Sequence, residues 1–416
     1  STLVSDCVAY RNCVCLNHIV DADGKKMSKS QGNIVDPYDV FDHIGADPLR
    51  WYFLARLAPE AQKRISTDIV AEVASSFVNT VWNTYAFFVL YASLDDVSLD
   101  GNVSDAKRPE IDRWVLALLY RTINLVTTAL ENYDARGAGS AIETFTDQLS
   151  NWYVRRNRRR FWKSETGADK QSAYLTLYTC LDVLHRLMAP FMPFLADEMY
   201  QNLVRSQQAD APISVHLSEW PKADPNWRND ELLGSIAVVQ QVVALGRAAR
   251  ESSRVRVRQP LSRLLARLPD DRTTQAVIHH KDQILEELNV KTLELVARDA
   301  ELVRYHLKPN LPRLGARYGK LIPAIREALA TANGPTFAAA QAQRETSILT
   351  VAGQEITLGP DDFLVETTAA EGYSSAESEG FLVALDTRLT PALEQEGLAR
   401  ELIRTVQDAR KQANLE

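Results

Sequence analysis

The sequence predicts a mainly α chain, with a short α/β segment first, a helical bundle next and a small α+β region last. Three observations predict it. Between Ser66 and Val204, apolar residues recur at three- and four-residue spacings over several long stretches joined by short connections. The first 50 or so residues mix short β-like runs with loops. After Pro225, strand-like runs alternate with helical ones. A chain of 416 residues can bury a large core and divide into about two to four domains.

Taken in order, Tyr10 to Val20 alternates enough for a strand and runs into the polar turn Asp21-Ala22-Asp23-Gly24. From Ser66 to about Leu94, Phe77, Val81, Tyr85, Phe88 and Tyr91 fall on one helical face. Ile111, Trp114, Val115, Leu118, Leu119, Ile123, Val126, Leu130 and Tyr133 form a second, continuous stripe. A third helix follows Asp134-Ala135-Arg136-Gly137 and carries Ile142, Phe145, Leu149 and Trp152. The fourth runs from about Ser172 to Met188 and is halted by Pro190 and Pro193. A short helix, Leu195 to Val204, precedes the extended stretch Ile213 to Trp220, and together these helices make a bundle.

Further on, a helix from Leu232 to Arg250 leads into the basic loop Arg254-Val-Arg-Val-Arg-Gln-Pro260. Strand-like runs follow at Leu261 to Leu268, Leu293 to Val296, Ile348 to Val351, Phe363 to Val365 and Phe381 to Leu385. A last helix begins near Pro391 and meets no breaker before Glu416, while Ser1 opens the chain without Met or leader. Both ends lead to the expectation of a piece of a longer protein.

Composition narrows the function classes. With 45% hydrophobic and 24% charged residues the chain reads as an ordinary globular protein. No uninterrupted apolar run reaches the roughly 18 residues of a membrane span, so no membrane partner is expected. No secretory pattern is present, and a cytoplasmic location is expected. The net charge of −7 argues against binding nucleic acid over the whole surface but leaves room for a local basic patch. Cys7, Cys13 and Cys15 cluster near His18 without the two separated cysteine pairs usual for zinc. Reduced thiols, and no metal site, are expected.

The sharpest chemical signal is Lys26-Met27-Ser28-Lys29-Ser30, flanked by Gly24 and Gly32. One reading is a solvated basic turn. The other is a mobile loop that closes on a polyphosphate, its ammonium groups stabilising charge that builds on departing pyrophosphate. The five letters, with Gly24-Lys25 ahead and Gln31-Gly32-Asn33-Ile34-Val35-Asp36-Pro37 behind, resemble the KMSKS signature of class I aminoacyl-tRNA synthetases. Asp47-Pro48-Leu49-Arg50-Trp51-Tyr52 looks like that family's continuation into stem-contact helices. The resemblance implies that Lys26 and Lys29 act on ATP in catalysis, with Ser28 and Ser30 shaping the ATP-binding loop. Met27, counted in the same ATP loop, is expected to anchor it in an apolar pocket.

The second signal is Asn151-Trp-Tyr-Val-Arg-Arg-Asn-Arg-Arg-Arg-Phe-Trp162, followed by Lys163. On a helix, Arg155, Arg158, Arg159 and Trp162 share one face, and Arg156 and Arg160 a neighbouring one. Guanidinium groups suit phosphates, and aromatic rings stack on unpaired bases. The competing reading makes Trp152 and Tyr153 core residues and pairs several arginines with acids, and for the two aromatics the core is expected. The string resembles the anticodon-binding helix of the isoleucyl, valyl and leucyl enzymes. That implies tRNA binding through Arg155, Arg156, Arg158, Arg159, Arg160, Trp162 and Lys163, with about two of the arginines expected to be structural.

Pro190-Phe191-Met192-Pro193-Phe194-Leu195-Ala196-Asp197-Glu198 and Ser214-Val215-His216-Leu217-Ser218-Glu219-Trp220-Pro221 look like later landmarks of the same domain. Glu287-Leu-Asn-Val-Lys291, Lys308 to Lys320 and Glu394 to Arg404 resemble the isoleucyl enzymes specifically. For Lys308, Arg313, Arg317 and Lys320, RNA contact and a solvated loop stay equally open.

The resemblance implies three segments. Residues 1–60 are the KMSKS loop and stem-contact remnant of an α/β nucleotide-binding domain, 61–222 an anticodon-binding helical bundle, and 223–416 an α+β tRNA-contacting region. It implies a full-length monomer that activates isoleucine with ATP and Mg2+ and charges tRNA(Ile). His43-Ile44-Gly45-Ala46 mimics the family's other ATP motif, HIGH, but follows KMSKS and ends in Ala46; a turn between helices is expected there. With no HIGH string in the 416 residues, they are expected to be inactive alone. The alternatives are a valyl or leucyl enzyme, or a synthetase-derived RNA-binding protein without enzymatic role.

Overall fold

The alternation over Tyr10 to Val20 produces a strand only at its end. In the computed structural model, which describes residues 2–97, 108–162, 167–296 and 303–413, a single turn α1 (Thr2–Ser5) is followed by irregular chain as far as β1 (Ile19–Val20). β1 pairs in parallel with β2 (Lys63–Arg64), a strand just as short. Upstream, Val14 and Leu16 stay exposed: an alternating pattern makes a strand only where a second edge meets it.

Between the two strands lie α2 (Pro37–His43) and α3 (Ala46–Trp51), joined at Ile44-Gly45. The HIGH-like string is therefore a turn between helices, as expected, with Gly45 at φ 106°. Asp36 caps α2 by accepting the Tyr38 N–H at 2.9 Å.

The bundle follows as α4 (Thr67–Val73), α5 (Asn79–Leu94), α6 (Glu110–Glu131), α7 (Ala135–Asp147), α8 (Arg155–Trp162), α9 (Ala168–Met188) and α10 (Pro193–Tyr200). Stretches of wider π-type turn join α4 to α5 and α7 to α8, so each pair is one continuous rod. The apolar stripes face inward. Val115, Leu119, Ile142, Phe145, Leu149, Leu177 and Leu184 are fully buried.

The expected extended stretch at Ile213 to Trp220 instead holds a 3-10 turn, Val215–Leu217. Asp197 draws it in, accepting Ser214 Oγ at 2.7 Å and the Val215 N–H at 2.9 Å. Local capping here outweighs the β propensity of the string.

The chain forms two compact units, Ser1–Leu233 and Gly234–Glu416. The segments 1–60 and 61–222 pack together inside the first. Asp47 accepts the backbone N–H of Leu195 at 2.7 Å, at the start of α10, and Arg50 donates to the Phe191 and Pro190 carbonyls at 2.9 and 3.0 Å. Trp51 is completely buried, stacked on Phe77 with ring centroids 4.1 Å apart, and its Nε1 donates to Glu143 at 2.6 Å. The string Asp47 to Tyr52 is thus a clamp onto the bundle.

α11 (Asp230–Ser252) leads into the second unit. It is long and apolar enough to cross a bilayer, against the expectation from uninterrupted runs, but half of its apolar window is buried inside the protein. Beyond it, β3 (Leu261–Arg267), α12 (Asp271–His279), α13 (Lys281–Leu288) and β4 (Val290–Leu295) form a βαβ unit with a parallel strand pair. Farther on come β5 (Val303–Pro309), α14 (Leu311–Tyr318), α15 (Ile322–Thr331), α16 (Gly334–Ala342), β6 (Ser347–Val351), β7 (Gln354–Leu358), β8 (Phe363–Ala369), β9 (Tyr373–Ser378), β10 (Phe381–Asp386) and α17 (Pro391–Gln412).

The main sheet runs β4-β3-β10-β9, and β5-β8 and β6-β7 are separate antiparallel pairs. Leu307, Leu314, Ile325, Phe337 and Phe363 belong to the core over the two pairs. The mainly α architecture with a small α+β region is the one expected.

Candidate nucleotide loop and RNA-facing helix

The signature loop leaves β1 through a tight turn. The Gly24 N–H donates to the Asp21 carbonyl at 3.0 Å, and the Lys25 N–H donates to Asp21 Oδ1 at 2.7 Å. Gly24 and Gly32 both sit at left-handed φ, 82° and 66°, which explains why glycines bracket the five residues. Between them, Ser28 enters a 3-10 turn, Lys29–Gln31, closed by Gly32.

Met27 points inward against Val40, Leu49, Ile65 and Val70, so it anchors the loop as expected. Ser28 Oγ and Ser30 Oγ share a hydrogen bond at 3.1 Å. Lys26 and Lys29 are exposed, and among the described residues neither pairs with an acid, whereas Lys25 lies 3.9 Å from Asp23. The loop therefore presents two uncompensated ammonium groups on an apolar anchor.

Two residues here escaped the sequence reading. Asn33 gathers the loop: its Nδ2 donates to Asp21 Oδ2 at 2.8 Å and to the Lys26 carbonyl at 3.2 Å, while its Oδ1 accepts the Ser28 N–H at 2.9 Å. These bonds hold the Asp21 carboxyl below its ordinary pKa, Asn33 contributing most and the Lys25 N–H next. Arg64, brought level with Val20 by strand pairing, lays its exposed guanidinium over Gly24, 3.5 Å from where a Cβ would stand. The Asn33 spacing was visible in the string, but its partners were not.

The arginine helix divides as its periodicity suggested. Arg155, Arg158, Arg159 and Trp162 are exposed, Trp162 to 55%, and Arg158 and Arg159 make no ion pair among the described residues. Arg155 Nε donates to the Asn151 carbonyl at 2.8 Å. Arg156 is half-buried and lies over the Trp152 ring at 5.3 Å.

Arg160 faces away from the exposed side and is removed from the expected RNA face. Its guanidinium grips Asp112 with two bonds of 2.6 and 2.9 Å and reaches Asp169 at 2.9 Å. The reason is physical: Asp112 has no exposed surface, and a buried carboxylate requires a cation and donors. Tyr153 Oη and Ser172 Oγ complete its shell at 2.8 and 2.6 Å. Trp152 and Tyr153 are core residues, as expected. Lys163 lies outside the described residues.

In the second unit, Arg313 pairs with Asp361 at 3.1 Å and Arg317 with Asp362 at 2.8 Å, while Lys320 is exposed. Arg250, buried and with no ion pair among the described residues, donates to the carbonyls of Leu288, Asn289, Arg256 and Gln259, and burial pushes its pKa down to about 10. It holds the basic loop against the C-terminal end of α13.

Comparison with known proteins fits both halves of this geometry. Residues 1–65 match the family of class I tRNA synthetases (I, L, M and V), and residues 112–265 match the anticodon-binding domain of tRNA ligase. The isoleucine–tRNA ligase of Deinococcus radiodurans is 46% identical over 416 residues, all of this chain and 38% of that protein. Over its whole length this chain is similar to the isoleucine–tRNA ligases. Those of Thermus thermophilus and Clostridium novyi are 44% and 41% identical, over 98% and 100% of this chain and 39% and 40% of their own lengths. The chain thus spans about two fifths of these ligases. Both charged strings, the KMSKS loop and the arginine helix, lie inside the matched regions.

Proposed function

We propose that these residues supply the ATP-closing loop and the tRNA-gripping bundle of an isoleucine–tRNA ligase, acting as a cytoplasmic monomer without membrane contact. In that reaction the isoleucine carboxylate attacks the α-phosphorus of ATP, pyrophosphate leaves, and the isoleucyl group passes from the adenylate to the 3′ end of tRNA(Ile). Lys26 and Lys29 balance the charge that grows on the departing pyrophosphate, Ser28 and Ser30 hold the turn that carries them, and Met27 is the pivot. The carboxylates of the loop, Asp21 and Asp23, are engaged by Asn33 and Lys25. These residues do not themselves fit Mg2+, which would arrive on the nucleotide phosphates.

The observation that carries the reading is the combination of two lysines that pair with no acid among the described residues, on an anchored loop, with an exposed Arg158, Arg159 and Trp162 face on α8. Guanidinium groups that no protein carboxylate neutralises suit phosphate, and an exposed indole suits an unstacked base.

The test is filter binding of the 416-residue chain to the isoleucine, valine and leucine tRNAs at several salt concentrations. Tighter binding of tRNA(Ile) is expected. The double change Arg158→Ala, Arg159→Ala should flatten the log–log salt dependence by roughly one to two units. Equal affinities and an unchanged slope would contradict the reading. The same chain should give only background isoleucine-dependent exchange between pyrophosphate and ATP, because its residues include no HIGH string.

A further inference from the structure

Three hydrogen bonds of the KMSKS loop converge on one side chain, that of Asn33. Asn33 stands 12 residues from Asp21 and five from Ser28, and its amide reaches both, together with the Lys26 carbonyl between them. Its two donors and one acceptor are all used. Asp21 in turn receives the Lys25 N–H, so the turn entering the loop and the chain leaving it meet at one carboxylate–amide pair. The exposed ammonium groups of Lys26 and Lys29 have no such tether among the described residues. Their position follows from the backbone, which the Met27 anchor on one side and the Asn33 amide on the other hold in place.

We propose that Asn33 is a positioning residue, the clasp that sets the resting place of Lys26 and Lys29 and must be respected, or reversibly released, when the loop moves. The proposal rests on the ATP-loop reading for its link to chemistry, but the clasp itself is a property of this chain. Asn33→Ala removes all three bonds. Asn33→Asp keeps the acceptor for the Ser28 N–H but sets a carboxylate against Asp21. Combining Asn33→Asp with Asp21→Asn restores a donor–acceptor pair between the two side chains, still able to accept the Ser28 and Lys25 N–H groups, but leaves the Lys26 carbonyl without its donor.

Hydrogen exchange of residues 21–33 and trypsin cleavage after Lys26 and Lys29 read the clasp in the 416-residue chain. For Asn33→Ala and Asn33→Asp, Ser28 amide exchange and cleavage at the two lysines should rise about tenfold. The double variant should recover part of that loss, and exchange in the bundle should stay unchanged in all three. Unaltered loop exchange in Asn33→Ala, or no recovery in the double variant, overturns the clasp.

In a chain extended to the length of the related ligases, Asn33→Ala should lower kcat for isoleucine-dependent pyrophosphate exchange, leave KM for isoleucine within about twofold, and be rescued by the double variant. If the unmodified extended chain shows no exchange, the ATP-loop reading fails while the clasp stands. If that chain is active and Asn33→Ala matches it in kcat, the positioning role fails.

Discussion

Removing the Asp112 carboxylate should unlock the bundle. Asp112 has no exposed surface, and four hydrogen bonds end on it: two from Arg160, one from Tyr153 and one from Ser172. Asp112→Ala leaves the Arg160 guanidinium, only 14% exposed, with the much more exposed Asp169 as its remaining acid, and it strands two buried hydroxyls. Breaking a buried ion pair from one side costs about 3–5 kcal/mol, against a whole-domain stability of roughly 5–15 kcal/mol.

Urea unfolding followed by tryptophan fluorescence measures the loss, since Trp114 and Trp152 are both buried in the bundle. The matched control is Arg158→Ala with Arg159→Ala, which removes two exposed cations without ion-pair partners among the described residues and should stay within about 0.5 kcal/mol of the parent. The two variants should separate cleanly, one losing stability and the other RNA affinity. A loss below about 1 kcal/mol for Asp112→Ala, or a larger one for the control, would refute the division of α8 into a buried and an RNA-facing side.

Two further outcomes follow from buried basic side chains. His185 has no exposed surface, and burial holds its pKa near 3, far below the ordinary value. As pH falls below about 6.5, the unfolded chain takes up a proton that the folded one refuses, so stability present at neutral pH drains away by about 1.4 kcal/mol per unit towards pH 3. His185→Gln should flatten that limb in pH-dependent unfolding curves; an identical slope would count against a neutral buried imidazole. In the second unit, Arg250→Met should destabilise by about 2–4 kcal/mol, because it abandons the four backbone carbonyls that the guanidinium serves. Thermal unfolding checks this, and a shift of less than a degree would show those carbonyls satisfied without it.

Much of the fold is legible in the amino-acid sequence. The stripe from Ile111 to Tyr133 became α6 because a 3.6-residue period is a local property, and the prolines at 190 and 193 marked the break ahead of α10 for the same reason. The strands from Leu261 onward were placed to within a few residues, although β5, β7 and β9 were missed; Tyr373–Ser378, rich in serine, carries a weak apolar alternation and is a strand because β10 pairs with it. Tyr10 to Val20 failed the other way, having the pattern but only a two-residue partner.

By itself the sequence determined where the long helices of the bundle run, which five residues form the loop, and that one face of α8 carries Arg155, Arg158, Arg159 and Trp162. Spacing along a helix and the needs of left-handed glycines are short-range matters, written into neighbouring residues. Only the tertiary structure decided that Arg160 serves Asp112, 48 residues away, that Asn33 clasps Asp21, and that Trp51 and Arg50 clamp the loop segment to the bundle. A charge or an amide chooses its partner by proximity in space and by the need to satisfy a buried group, and one-dimensional order does not encode that choice until the chain has folded.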